Sequence, residues 1–454
     1  MIKEFSSFRD PDGFVYRQND EIYRYVAPSY KENYDLLINS GLYDELVKKK
    51  HLVAANEVAP VAEGAYKLLQ VQKIDFISYP YEWCFSQYQD AALLTLKIEK
   101  QALLHNMSLK DASAYNIQFS DGKPIFIDTL SFEKLDEKSP WIAYKQFCQH
   151  FLAPLCLMSY KDVRLSSLMK QYIDGIPLDL AAKLLPVLIR PGIWMNINLH
   201  AYFQNKYSDT KANPAQWQTM TKTKQIALIE GLYDLIAGLK KPVSHTEWEN
   251  YYEDTNYTQT AFNAKISIIE EYMGSLKNVK KIADFGANNG YFTRIALKDI
   301  KDAKAVAFDV DPQAVEKNYN FVKQNNETNL LPLIVDLLNP SSGIGWANGE
   351  RDSISNRINA DVVLALALIH HLCITSNIPF DYIASYFSAL APNLIIEFVP
   401  KEDTQVQKLL NSRKDIYSWY NKNNFEESFG HYYTIEKRRD IPESKRMLYL
   451  LKRK

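Results

Sequence analysis

The sequence predicts two domains of different class: an N-terminal α+β domain, and a C-terminal doubly wound α/β domain whose mostly parallel sheet carries an antiparallel C-terminal strand. Three observations point there. From about residue 280 the strand-like runs "KIADFG", "AVAFDV", "LLPLIVDL", "DVVLALALI" and "NLIIEFV" alternate with helical stretches, the pattern of βαβ crossovers. The chain then ends on "YYTIEKRRDI" and "RMLYLLKRK", two strands joined by a short turn. Before residue 207 that alternation is missing, and hairpin-like runs mix with helices. At 454 residues the chain also exceeds one ordinary core. The predicted boundaries are residues 1–207 for the first domain, 208–247 for a linker with a connecting helix, and 248–454 for the second.

Taken in order, "GFVYRQNDEIYRYV" reads as two β-rich runs turning at "QND". "YKENYDLLINSGLYDELVKKK" is helical, "YKLLQVQKIDFISYP" strand-like, and "DAALLTLKIEKQALLHNM" has helical apolar spacing. "IQF" and "IFIDTL" flank the turn "SDGKP". The region from 140 to 207 is predicted helical, most clearly at "DGIPLDLAAKLLPVLI". The polar stretch "QNKYSDTKANPAQWQTMTKTK" reads as a joint. "QIALIEGLYDLIAGLK" is an amphipathic helix beyond it, and "AFNAKISIIEEYMGSL" is the helix that opens the α/β pattern.

Composition narrows the partners. A formal net charge of -1 offers no global attraction to nucleic acid. The apolar run "ADVVLALALIHHLCI" is too short to span a bilayer, and "MIKEFSSFRDPDG" lacks the apolar stretch of a signal peptide. The four cysteines form no C-x-x-C pair, which fits a reducing, cytoplasmic setting. Cys148, His150 and Cys156 lie in a bulky apolar helix and read as core rather than as a metal site. The basic tail "KRRDIPESKRMLYLLKRK" reads as a solvated hairpin and chain end.

The chemistry-bearing signal is "KKIADFGANNGYFTRIALKD". A strand reaches Asp284, a turn carries Gly286 and Gly290, and a helix begins near Tyr291. Glycines let backbone approach a ligand, and a helix N-terminus adds orphan N–H groups. The next strand ends at Asp309, where a carboxylate can accept both hydroxyls of a ribose. Asp311 in "FDVDP" competes, but the strand's last position favours Asp309. The third strand leads to Asp336, where a carboxylate can take an N–H from an adenine amino group. The G-x-G-x-x-G turn of dinucleotide-binding proteins is absent.

This order of acids resembles the class I S-adenosylmethionine-dependent methyltransferases, with their Rossmann-like domain, over about residues 245–454. The resemblance implies that the Asp284–Gly290 turn, with Gly286, Ala287 and Asn288, meets the methionine half of the cofactor S-adenosyl-L-methionine. It implies that Asp309 meets the ribose, and Asp336 with Leu337 the adenine. The whole-chain pattern is also similar to bacterial methyltransferases related to nodulation protein NoeA. His370 and His371, just beyond the fourth strand, are candidate bases, since an imidazole can take a proton near neutral pH. Glu397, at the end of the fifth strand, is a further acceptor-side candidate. Trp248, Tyr251, Tyr252 and Tyr257 read as helix packing or as an aromatic lid. No N-P-P-Y signature is present. The expected acceptor is an O or N nucleophile on a small molecule or a glycan- or lipid-type compound.

"LKDASAYNIQF" carries a second signal. Asp111 and Asn116 have D-x-x-x-x-N spacing, and Asp128 follows in "PIFIDTL". Residues 89–130 thereby resemble the catalytic segment of the protein-kinase and aminoglycoside-phosphotransferase superfamily. The resemblance implies a base at Asp111 and magnesium ligands at Asn116 and Asp128, with Mg-ATP as the bound nucleotide. The departures are Leu109 where a His is expected, Asp128-Thr129-Leu130 in place of D-F-G, no multi-glycine loop, and only Arg24 near the place of the usual lysine. Three readings follow: a methyltransferase whose N-terminal domain binds acceptor or regulates, a bifunctional kinase–methyltransferase, and a non-catalytic S-adenosylmethionine sensor.

Overall fold

The computed structural model describes residues 2–59, 64–186, 191–197, 220–242, 257–411 and 414–454. The chain forms two compact units. One comprises Met1–Val243 with Ser342–Asp352; the other comprises Ser244–Ser341 with Ser353–Lys454.

The first unit contains a five-stranded antiparallel sheet ordered β1-β2-β3-β5-β4, from Ile2–Lys3, Gly13–Gln18, Glu21–Val26, Lys67–Val71 and Ala55–Glu57 respectively. The β2–β3 hairpin turns at Asn19 and Asp20, both at positive φ. Asn and Asp tolerate that region and so suit a tight two-residue turn. The stretch read as one helix is two, Lys31–Asn39 and Leu42–Lys48, because Gly41 sits at φ +78° between them. The 20-residue helix Phe85–Leu104 is the unit's longest described helix, and its Ala91, Leu96, Ile98 and Ala102 are buried. Two small hairpins complete the frame that holds "LKDASAYN": β6 (Met107–Leu109) pairs with β9 (Phe132–Lys134), and β7 (Ile117–Ser120) with β8 (Lys123–Phe126). The helix Lys222–Ala237, read as a connector, packs along Phe85–Leu104 within this unit. Of "DGIPLDLAAKLLPVLI", residues Leu178–Leu184 are helical; residues 187–190 lie outside those described. So does most of the predicted joint, at 204–219.

The second unit is the predicted doubly wound domain. Strands β10 (Lys281–Phe285), β11 (Lys304–Asp309), β12 (Leu330–Ile334), β13 (Val362–Ala365), β14 (Asn393–Phe398), β15 (Tyr433–Asp440) and β16 (Met447–Arg453) form one sheet ordered β12-β11-β10-β13-β14-β16-β15. The first five are mutually parallel, and β16 enters antiparallel between β14 and β15. This is the Rossmann-like sheet, with antiparallel C-terminal strands, that the methyltransferase resemblance implies. The order reverses direction between β10 and β13, which creates a switch point at their C-terminal ends, where such sheets bind ligands. Strands β13 and β14 are nearly continuous apolar runs, because helices cover both faces.

Candidate active site

The residues that the methyltransferase resemblance assigns to the cofactor lie at the switch point, at the ends of β10, β11 and β12. Asp284 lies in β10 and accepts a 2.6 Å hydrogen bond from Thr293 Oγ1, one turn into the next helix. Burial pushes its carboxyl up to about 7, and the nearby charge of Asp309 adds to that. Gly286 follows at φ +71° and Gly290 at φ +76°, with Asn288 between them at φ +49°. The N–H groups of Gly286 and Ala287 both donate to Phe308 O, at 2.9 and 3.0 Å, which ties the turn to the end of β11. A Cβ at Gly290 would stand 2.5 Å from Asn318 Nδ2 and 2.7 Å from Arg294 Nη1. The turn therefore needs glycine there on both steric and dihedral grounds.

Asp309 ends β11 and is 8% exposed. Its Oδ2 accepts from Asn288 N–H at 2.7 Å and its Oδ1 from Asp311 N–H at 2.8 Å. Each carboxylate oxygen has a second lone pair, so capacity for ligand hydroxyls is left. Burial raises this carboxyl to about 6 against those backbone bonds. Asp311 instead caps the helix Pro312–Asn325, accepting from Gln313 N–H with Oδ1; this separates the two acids the sequence left in competition. Asp336 lies two residues past β12, half-buried beside Leu337, and accepts from Leu338 N–H at 2.8 Å.

The acceptor-side candidates differ from one another. His370 is 2% exposed, and its Nδ1 has no hydrogen-bond partner among the described residues. His371 packs against it with tilted rings, centroids 4.1 Å apart. Burial lowers both imidazoles, His371 to about 4, and the Arg446 charge lowers them further. The same lowering that keeps them neutral also makes each a weaker proton acceptor than a free imidazole. Glu397 is fully buried and is not an open base. Its Oε2 meets Lys265 Nζ at 2.6 Å and Ala367 N–H at 3.0 Å, while its Oε1 takes Tyr257 Oη and lies 3.4 Å from Arg446 Nη1. Burial alone would raise its carboxyl, but Lys265 and Arg446 outweigh burial and hold it below the usual range. Of the four aromatics read as packing or lid, Tyr257 is bonded to Glu397; Trp248, Tyr251 and Tyr252 lie outside the described residues.

Residue reading missed Lys265, Arg294 and Arg446. Arg294 donates to Asn289 O at 2.8 Å and to Asn318 Oδ1 at 2.9 Å, clamping the glycine turn, and is itself held by Glu327. Lys265 did leave a signal. It occupies the buried stripe Ala261, Lys265, Ile268, Tyr272 of the helix Gln259–Ser275, where a lysine interrupts an apolar face. Arg446 sits in the β15–β16 turn and left none.

In the first unit the kinase-like residues are engaged by protein groups. Asp111 Oδ1 accepts from Ser113 N–H at 2.9 Å and Gln146 Nε2 at 2.8 Å. Burial and then the Asp128 charge raise its carboxyl. Asn116 Nδ2 donates to Ser131 Oγ at 3.3 Å. Asp128 accepts from Leu130 N–H and Ser131 Oγ and forms an ion pair with Arg24. Arg24, the residue near the place of the usual lysine, thus stands on the carboxylate that would have to ligate magnesium. Among the described residues no group of three or more His, Cys, Asp or Glu is placed to hold a metal ion. Cys148, His150 and Cys156 are buried in the core, and burial drives the His150 imidazole down to about 3. No described helix is long and apolar enough to cross a membrane.

No family model matches the sequence. The chain is 34% identical to nodulation protein NoeA of Rhizobium meliloti (strain 1021) over 458 residues, covering 98% of this chain and 95% of that protein. Among solved structures it is similar to the N-methyltransferase NodS of Bradyrhizobium japonicum WM9, at 11% identity, 43% of this chain, 97% of that one and TM-score 0.33. It is also similar to the magnesium protoporphyrin IX methyltransferase ChlM of Synechocystis PCC 6803, at 13% identity, 46% of this chain, 89% of that one and TM-score 0.33. The full-length likeness is to NoeA, and the chain belongs to the nodulation protein NoeA family.

Proposed function

We propose that this chain is an S-adenosylmethionine-dependent methyltransferase acting on an O or N acceptor, and that its N-terminal unit serves acceptor binding or regulation. The observation that carries the reading is the switch point. Three carboxylates, Asp284, Asp309 and Asp336, stand at or just beyond the C-terminal ends of three adjacent strands, beside a turn that only glycine can make at Gly290. The residues fit the cofactor. The glycine turn lets Asn318 and Arg294 pack directly on its backbone, Asp309 keeps lone pairs for a ribose, and buried Asp284 suits a cationic amino group.

When bound, the cofactor supplies a methyl group on a positively charged sulfur, a leaving group that needs no further activation. What this chain adds is orientation and exclusion of water. Asp309 accepts the ribose hydroxyls, Asp336 with Leu337 borders the adenine, and Asp284 with Ala287 and Asn288 holds the amino-acid end. His370 or His371, neutral at pH 7, takes the proton that the acceptor releases as its new bond to carbon forms. The acceptor we favour is a small molecule or a glycan- or lipid-type compound, in keeping with a formal net charge of -1 and no N-P-P-Y motif.

Mass spectrometry of the purified chain with S-adenosylmethionine and candidate acceptors tests this. Formation of S-adenosylhomocysteine together with an acceptor 14 Da heavier, the mass a methyl adds in place of a hydrogen, is the expected result. Cofactor binding with no product from any acceptor class would favour the sensor reading instead.

A further inference from the structure

A buried ionic network lies beside the histidines, and the proposed chemistry does not use it. Lys265, Glu397, Asp403 and Arg446 are each at most 5% exposed, two cations against two carboxylates. Lys265 Nζ meets Glu397 Oε2 at 2.6 Å. Arg446 reaches Asp403 through Nε at 2.8 Å and Nη2 at 3.2 Å, and places Nη1 3.4 Å from Glu397 Oε1. Arg446 Nη1 also donates to Tyr257 Oη at 2.9 Å, and Lys265 lies 4.3 Å from the centroid of the Phe292 ring. Burying four charges is costly, and apolar side chains commonly do as well for stability. The network's outgoing contact shows what it does. Glu397 Oε2 accepts the N–H of Ala367 at 3.0 Å. Ala367 is at φ +50°, a conformation that a residue with a Cβ avoids. It lies between the end of β13 and His370, and the next residue, Leu368, would be 3.3 Å from a Cβ on Gly286.

We propose that Glu397 is a positioning residue: kept ionised and immobile by Lys265 and Arg446, it fastens the Ala367 amide and so sets the loop that carries Leu368 against the cofactor turn and His370 and His371 toward the acceptor. The inference rests on the methyltransferase reading for the meaning of that loop, but not for its anchoring. The carboxylate must be ionised to answer both cations, and the cations must be buried to have no competing water. What reaches the loop is the Oε2 oxygen itself; the cations act by holding it in place.

Two double variants separate the anchor from the charge. Lys265→Met/Glu397→Gln removes one cation and one anion and keeps an oxygen for Ala367; Lys265→Met/Glu397→Leu removes the oxygen as well. Amide hydrogen exchange of residues 366–371 is followed by mass spectrometry, and S-adenosylhomocysteine affinity by calorimetry. The expected result is near wild-type exchange in the Gln form and at least about tenfold faster exchange in the Leu form. Affinity should stay within about threefold of wild type in the Gln form and fall further in the Leu form, where Leu368 is no longer set against the turn. Glu397→Asp, which keeps the charge but shortens the reach, should also exchange faster and serves if the Leu form does not fold. Equal exchange in the Gln form and in the Leu or Asp form would overturn the inference. Failure of the wild-type chain to bind S-adenosylhomocysteine would count against the methyltransferase reading while leaving the exchange result decisive for the anchor.

Discussion

The two units each carry a set of acids in a recognisable spacing, and they engage those acids with different groups: side chains and an arginine dominate in the first, backbone N–H groups in the second. In the first unit Asp111 is held by Ser113 and Gln146, and Asp128 by Arg24, Ser131 and Leu130. In the second, Asp309 accepts two backbone N–H groups but keeps lone pairs, while Asp311 Oδ2, Asn318 Nδ2 and His370 Nδ1 have no partner among the described residues. A buried polar atom without a partner costs roughly 1–3 kcal/mol. Such atoms occur in both units, Thr129 Oγ1 beside Asp128 among them; those named in the second unit lie near the glycine turn and the loop after β13. Motif spacing alone does not say what binds at either set; the donors and charges around each carboxylate bear on it.

The sharpest way to break this contrast is at Gly290. Gly290→Ala forces a left-handed alanine, roughly 1–2 kcal/mol, and overpacks against Asn318 and Arg294, roughly 1–3 kcal/mol more. Calorimetry should show S-adenosylhomocysteine affinity down by more than about a hundredfold. An intact, tightly binding Gly290→Ala protein would remove the turn from the site.

His370→Ala should lower methyl transfer by about a hundredfold while cofactor affinity holds. Parallel losses in rate and binding would mark His370 as packing, and an effect confined to His371→Ala would move the role to its neighbour.

Asp309→Ala should weaken cofactor binding about tenfold or more through unpaired ribose hydroxyls. The same group gives the pH dependence a sign. Its carboxyl is raised from 3.8 to about 6 in the folded protein, so acid removes the ionised acceptor early. Affinity should fall as pH drops through about 7, where Asp284 takes up a proton, and further through about 6, where Asp309 does; Asp309→Ala should abolish the lower step alone. A profile unchanged down to pH 5 would separate Asp309 from the ribose.

The smallest expected effect belongs to the first unit. Thermal shift with millimolar ATP should show no magnesium-dependent rise, because Arg24 and Ser131 already occupy Asp128. A rise that needs both magnesium and an intact Asp128, and so vanishes in Asp128→Asn, would restore the nucleotide-binding reading.

Much of this was legible from residues. The alternation of short apolar runs with helical stretches after residue 280 predicts the α/β domain because its parallel core strands, buried on both faces, are written in continuous apolar residues. The hairpin at Asn19–Asp20 and the glycine turn were legible for the same local reason: few residue types tolerate positive φ. Helix breaks were less so. Gly41 divides a stretch whose periodicity runs straight through it.

By itself, then, the sequence determined what depends on neighbours along the chain: strand and helix periods, the turns, and the acids that end β11 and follow β12. Only the tertiary structure decided what depends on partners far apart. Glu397 and Arg446 are 49 residues apart, Lys265 and Glu397 132, and nothing local announces that they meet. Arg24 reaches Asp128 across the first unit in the same way. A carboxylate's role is set by the charges and donors that surround it once water is excluded, and packing brings those together from anywhere in the chain.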